Sequence, residues 1–220
     1  MMMRTYAAAA AITLAPAMAH ADVMAFSGWE DTSADAVFGT NGLVDDFGYT
    51  SAPDPVYDGN HSMFMTEDPL AGTPSAVVAW VSGIEAGDEI TATMWFRGMD
   101  SVGSNTAKAR LWGGYYDATD TSEGAGSAGG PSGYAGNNET WELMTHTWTV
   151  DGTTSVFGLE VRMYSYGENN MIWGDNLEIS VNNDNATIEI AGSTSTPVVP
   201  GPAVGIAMLG GLAVVGRRRR

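Results

Sequence analysis

Apolar and polar residues alternate along several short stretches of this chain, and a period of two suits a half-buried β-strand and little else. In Glu89–Arg97 the alternation puts Ile90, Ala92, Met94 and Phe96 on one face. In Val156–Tyr166 it gathers Phe157, Leu159, Val161 and Met163, and in Met171–Val181 it gathers Met171, Trp173, Leu177, Ile179 and Val181. Ser75–Val81, Ala107–Tyr115, Thr145–Val150 and Thr187–Ile190 read as further strands, whereas helical periodicity is scarce. Gly83, Gly87-Asp88, Gly98, Asp151-Gly152 and Gly167 punctuate the chain between them. Short strands separated by turn residues predict an all-β domain built as an antiparallel β-sandwich. Asp117–Asn138, rich in Gly, Ser and Ala, reads as a surface loop long enough to be functional.

Both ends read differently. Arg4 precedes an apolar run from Tyr6 to Met18, and Ala19-His20-Ala21 then supplies the small residues that a signal peptidase requires. Residues 1–21 are therefore expected to form a signal peptide, with its helix cleaved after Ala21 or, using Ala17-Met18-Ala19, after Ala19. At the other end a linker over 194–202 contains Val199-Pro200-Gly201-Pro202. Residues 203–216 are apolar, and Arg217, Arg218, Arg219 and Arg220 follow. As a helix, 203–216 would reach about 21 Å, short of a hydrocarbon core of roughly 30 Å. Four glycines weaken it further. The terminal arginines would stay on the cytoplasmic side and arrest translocation. This tail resembles the PEP-CTERM sorting signal, in which a Val-Pro-Glu-Pro motif precedes an apolar span and an Arg cluster. The resemblance implies transient retention in the membrane, processing by an exosortase-like protease, and delivery to the cell surface or extracellular matrix. Gly201 stands where that family has Glu, and a simple C-terminal anchor is the other reading of the segment.

Between the ends, residues 22–193 have the size of one domain and no cysteine, so burial alone must stabilise it. All 26 acidic residues fall here against four basic ones, Arg97, Lys108, Arg110 and Arg162, for a net charge of −22. Such a surface excludes nucleic acid and anionic membranes as partners. It either serves solubility alone or leaves carboxylates for divalent cations.

A second resemblance rests on Ala79-Trp80-Val81-x-Gly83-Ile84-x-Ala86-Gly87-Asp88, on Gly158-Leu159-Glu160-Val161-Arg162, and on Trp173-Gly174-Asp175-Asn176-Leu177-Glu178-Ile179. These segments are similar to those of the galactose-binding-like jelly rolls of carbohydrate-binding modules, although the second acidic residue of the family's last strand is Asn176 here. The resemblance implies a jelly roll and a structural Ca²⁺ held by Asp175 near Trp29-Glu30-Asp31, with Glu30 as a second ligand. Alternation with Trp173, Leu177 and Ile179 places Asp175 inward. A buried carboxylate must be paired, capped by donors or bound to a metal.

Opposite the apolar faces lie Trp95 and Arg97, then Arg110 and Trp112 beside Lys108, then Arg162 and Tyr164. If their strands share a sheet, these residues form an aromatic and cationic surface suited to stacking and hydrogen-bonding a sugar. Otherwise the cations pair with nearby carboxylates. No Gly-x-Ser-x-Gly, no His-Glu-x-x-His and no cysteine nucleophile occurs. Glu139 and Glu142 form no recognisable hydrolase signature. The expectation is a non-catalytic exported protein that binds polysaccharide. The alternatives are a purely structural surface protein and, third, a glycoside hydrolase.

Overall fold

A computed structural model describes residues 22–67, 72–99, 107–165 and 170–194. The expected signal peptide, including Ala19 and Ala21, lies outside these residues, as do the Val199–Pro202 motif, the apolar tail and Arg217–Arg220. Among the described residues twelve strands pair into two antiparallel sheets that face each other. The first sheet runs β3 (Val44–Ser51), β4 (His61–Glu67), β11 (Asn170–Val181), β6 (Glu89–Gly98) and β9 (Glu142–Thr149), with β1 (Val23–Ser27) paired to the second half of β11. The second runs β12 (Thr187–Ile190), β5 (Ser75–Ser82), β10 (Val156–Tyr164), β7 (Lys108–Tyr116) and β8 (Gly124–Gly129), with β2 (Gly39–Asn41) on β5. The strands expected from alternation all form, and the fold is the expected antiparallel β-sandwich.

One continuous core fills the space between the sheets. Ile90, Ala92, Met94 and Phe96 from β6 meet Phe157, Leu159, Val161 and Met163 from β10, and all eight are inaccessible to solvent. Apart from Ala92, burying side chains of this size contributes about 1.5–3 kcal/mol each, the term that substitutes for disulfides here. A smaller apolar cluster of Val77, Trp80, Tyr116 and Val156, packed by Phe38, covers part of the second sheet's outer face.

Two expectations change. Asp117–Asn138 is not all loop, because Gly124–Gly129 pairs with β7 as an edge strand. Gly, Ala and Ser carry no apolar period, so the backbone ladder forms there without a sequence signal. The second correction concerns β11. Its register with β6 shifts between Asp175 and Glu178, and Asn176 adopts the left-handed conformation, with φ of 48°. A bulge of this kind adds a residue and reverses the faces on either side. Beyond it Leu177, Ile179 and Val181 point to the core as expected, but before it the core residue is Ile172. A Cβ on Gly174 would run into Met94 and Met63 of the core. Met171, Trp173 and Asp175 therefore occupy the outer face, against the expectation that they align with Leu177.

Candidate functional site

The bulge assembles a four-residue group on the outer face of the first sheet. Asp175 stands directly opposite Trp95, and Trp173 directly opposite Arg97, across the β11–β6 ladder. Directly opposed residues share a face, so the expected pair Trp95 and Arg97 is joined there by Trp173 and Asp175. Phe64 of β4 flanks Trp173, and Leu143 of β9 flanks Trp95.

Over this floor lies the segment that joins β3 to β4. Tyr57 stacks on Trp95 with ring centroids 4.2 Å apart and planes 17° apart, and Trp141 meets Tyr57 edge-on at 5.6 Å. One face of the Tyr57 ring is thus committed to Trp95, while the residue as a whole stays 38% exposed and the neighbouring Leu143 52% exposed. The result is an aromatic shelf with an accessible outer surface. On the same face, one pair along the ladder, Arg97 Nε and Trp173 Nε1 are buried without a hydrogen-bond acceptor. Arg97 makes no ion pair among the described residues, although the chain carries 26 carboxylates.

Asp175 holds the shelf in place. Although it lies on the outer face, its side chain is fully inaccessible because the Tyr57 segment covers it. Its Oδ2 accepts the backbone N–H groups of Tyr57 (3.0 Å) and Asp58 (3.2 Å), and Oδ1 accepts that of Asn176 (2.7 Å). From the other side Glu30 accepts the N–H groups of Asn60 (2.8 Å) and His61 (3.0 Å) and the Asn60 side-chain amide (3.1 Å). With Gly59 N–H donating to Asp58, every backbone N–H from Tyr57 to His61 ends on a carboxylate. Burial pushes the Asp175 carboxyl up to about 6, against the pull of the three amides, and the nearby Glu30 charge adds to the rise. For Glu30, burial also acts upward, but the His61 and Asn60 donors outweigh it and leave the carboxyl below its ordinary value.

These donors bear on the expected calcium. Amide hydrogens turn their positive ends toward the oxygens that a cation would need, and Ca²⁺ asks for six to eight oxygen ligands. Among the described residues no group of three or more Asp, Glu, His or Cys side chains is arranged to hold a metal. Glu30 and Asp175 as placed do not fit a calcium ion; they fit as anionic clamps on a backbone segment.

The remaining expected site residues lie elsewhere. Lys108, Arg110 and Trp112 on β7, and Arg162 and Tyr164 on β10, occupy the outer face of the second sheet, on the far side of the sandwich from Trp95 and Arg97. The single surface expected of these residues is therefore two surfaces. Alternation assigns each residue to a face of its strand, but only the strand order decides which sheet the strand enters. Tyr57 and Trp141 escaped the sequence reading: Tyr57 belongs to an Asp/Gly/Asn turn cluster with no period, and Trp141 precedes its strand.

Glu142, one of the two glutamates considered for hydrolysis, accepts backbone N–H groups of Gly136 (2.8 Å) and Asn137 (3.4 Å), which is a loop-capping arrangement.

No family model matches the sequence, and no curated protein does. Among solved structures, the chain is similar to the CBM22-1 xylan-binding domain of Paenibacillus barcinonensis Xyn10C. The likeness has a TM-score of 0.51 at 15% identity, over 76% of this chain and 99% of that domain. It is similar also to the CBM22-1-CBM22-2 tandem domain of Xyn10C, with a TM-score of 0.53 at 15% identity, over 77% of this chain and 48% of the tandem. The chain has their jelly-roll fold. At such identity the likeness concerns the fold and leaves the site to be argued from this chain's own residues.

Proposed function

We propose that this is an exported, non-catalytic protein of the cell surface or extracellular matrix that binds polysaccharide on the Tyr57–Trp95–Trp141 shelf. The observation that carries the reading is the stacked Tyr57–Trp95 pair, clamped from beneath by Asp175 and accessible from above. Pyranose rings offer apolar C–H faces that pack on aromatic rings, and their hydroxyls need donors and acceptors at the rim. A preorganised shelf avoids the entropy cost of ordering a loop on binding. The jelly-roll neighbours, one of them named a xylan-binding domain, make a plant-type β-glycan the first ligand to try. Glycan-array binding followed by affinity electrophoresis tests the reading. Tyr57→Ala and Trp95→Ala are each expected to weaken binding roughly five- to thirtyfold, because each stacked ring contributes on the order of 1–2 kcal/mol. If no glycan binds the native protein, a purely structural surface role replaces this one.

Export rests on the signal-like residues 1–21 and on the processed tail. Signal peptidase and an exosortase-like protease are the proposed partners, and the tail is held only briefly in the membrane. Cell fractionation checks this route. The full chain is expected at the surface, and a chain lacking 203–220 in the soluble exported fraction. Retention of both in the cytoplasm would sink it.

A further inference from the structure

The outer face of the second sheet carries three of the four basic residues found between the two ends, and it leaves two of them facing each other. Arg110 stands directly opposite Arg162 across the β7–β10 ladder, and Lys108 directly opposite Tyr164 one step along. Like charges in directly opposed positions repel, and such pairs are ordinarily selected against. In a domain with 26 carboxylates a neutralising partner for each arginine is easily supplied. Among the described residues only one is present: the Glu160 carboxylate, buried, which accepts from Arg162 Nε at 3.2 Å and from the Tyr116 hydroxyl at 3.0 Å. Arg110 has no hydrogen-bond or ion-pair partner among the described residues, and its Nε is buried without an acceptor.

Aromatic rings hold the two guanidiniums in position, and they flank Lys108 as well. The Arg110 guanidinium lies 4.4 Å from the Trp112 ring centre and 4.7 Å from that of Tyr134, and the Arg162 guanidinium 4.1 Å from Trp112. The Lys108 ammonium lies 5.0 Å from Tyr134 and 5.2 Å from Tyr164. Trp112 is fixed in turn by its Nε1–H bond to Ser127 of β8, at 3.0 Å. Cation–π packing orients a guanidinium without neutralising it, so the positive charge stays available to an incoming anion.

From this face we infer a second ligand site, separate from the aromatic shelf, that takes a carboxylate carried on an otherwise neutral glycan, that is, a uronic acid substituent. The inference rests on the glycan-binding reading for the chain that bears the carboxylate. The Arg110 guanidinium is a planar fork that matches a carboxylate, and Arg162, opposite it on β10, adds positive charge. The net charge of −22 selects what the carboxylate can be attached to. A densely charged polyanion, or a second copy of this chain, would be repelled as a whole by the acidic surface, whereas an isolated carboxylate meets only the local positive field.

The test is calorimetric titration of the full chain with an oligosaccharide bearing one glucuronic acid, against the same oligosaccharide after reduction of its carboxyl to the neutral sugar. The acidic form is expected to bind at least about tenfold tighter. Arg110→Gln should bring the two affinities together, Arg110→Lys should keep part of the preference, and Trp95→Ala should weaken the neutral form, which has only the shelf, while the acidic form keeps its binding through Arg110. Equal affinity of the native protein for both forms overturns this inference and leaves the shelf reading standing. A preference that survives Arg110→Gln, in a variant that melts like the native protein, also overturns it. Binding of neither form overturns both readings.

Discussion

Asp175→Ala is expected to destabilise the domain by on the order of 3 kcal/mol and to lower Tm by roughly 10 °C. The carboxylate is fully inaccessible and accepts three backbone N–H groups, and alanine leaves all three without an acceptor. An orphaned buried donor costs about 1–3 kcal/mol, so the total exceeds anything a surface carboxylate can show. Asp45→Ala, an exposed position on β3, is the control and should change stability by no more than about 0.5 kcal/mol. Glycan binding should fall in Asp175→Ala even below its melting point, because the Tyr57 backbone loses its clamp. A chelator should leave the native Tm unchanged, since amides and not a cation satisfy Glu30 and Asp175. A fall in Tm with chelator would restore calcium to this site.

The same residue sets a pH dependence whose sign is opposite to that of most carboxylates. Its folded pKa of about 6 lies above the ordinary aspartate value of 3.8, so between these values the folded state binds the extra proton. The stability linked to that proton is fully present below about 4 and is lost as pH rises through about 6. Glu30, held below its ordinary value, acts the other way: its contribution is present above that value and is lost as pH falls through its folded pKa. Melting curves from pH 4 to pH 7 for the native protein and Asp175→Asn should therefore converge toward the neutral end of the range. A native-minus-variant difference that stays flat with pH would show that Asp175 titrates normally.

Much of this architecture is legible in the chain because half-buried strands report their own faces. The eight alternating residues of β6 and β10 locate the core without any knowledge of topology. The site is less legible, for three physical reasons. Asn176 takes a conformation open to asparagine but not announced by it, and its bulge moves Asp175 and Trp173 from the inner face to the outer. Tyr57 reaches Trp95 through a turn, where no period exists to reveal the contact. And β6 and β7, neighbours in sequence, enter different sheets, so Trp95 and Trp112 cannot meet. Local pattern carries the faces of strands; long-range pairing carries the sites built across them.

Glu160→Ala is expected to cost about 3 kcal/mol, for a reason that separates it from ordinary core damage. The Glu160 side chain is 5% exposed, and it both receives the Tyr116 hydroxyl and neutralises Arg162, one of the two opposed arginines. Its anionic neighbourhood, after burial, also holds the Tyr116 phenol well above its ordinary pKa, so tyrosinate cannot take over as the counter-charge. Alanine leaves the Tyr116 hydroxyl without its acceptor and leaves Arg162, like Arg110, without a counter-charge. The repulsive part is electrostatic and partly exposed, since Arg162 retains 25% of its side-chain surface, so salt should relieve it. Urea unfolding at about 0.05 M and about 0.5 M NaCl is expected to show Glu160→Ala recovering a measurable fraction of the loss at the higher salt, with m unchanged. Adding Arg162→Met should also recover stability, because it removes the unpaired charge while keeping apolar bulk against Trp112. A double variant destabilised by the full sum of the two single changes would show that the three residues do not act as a charge cluster, and the positive field assigned to this face would lose its basis.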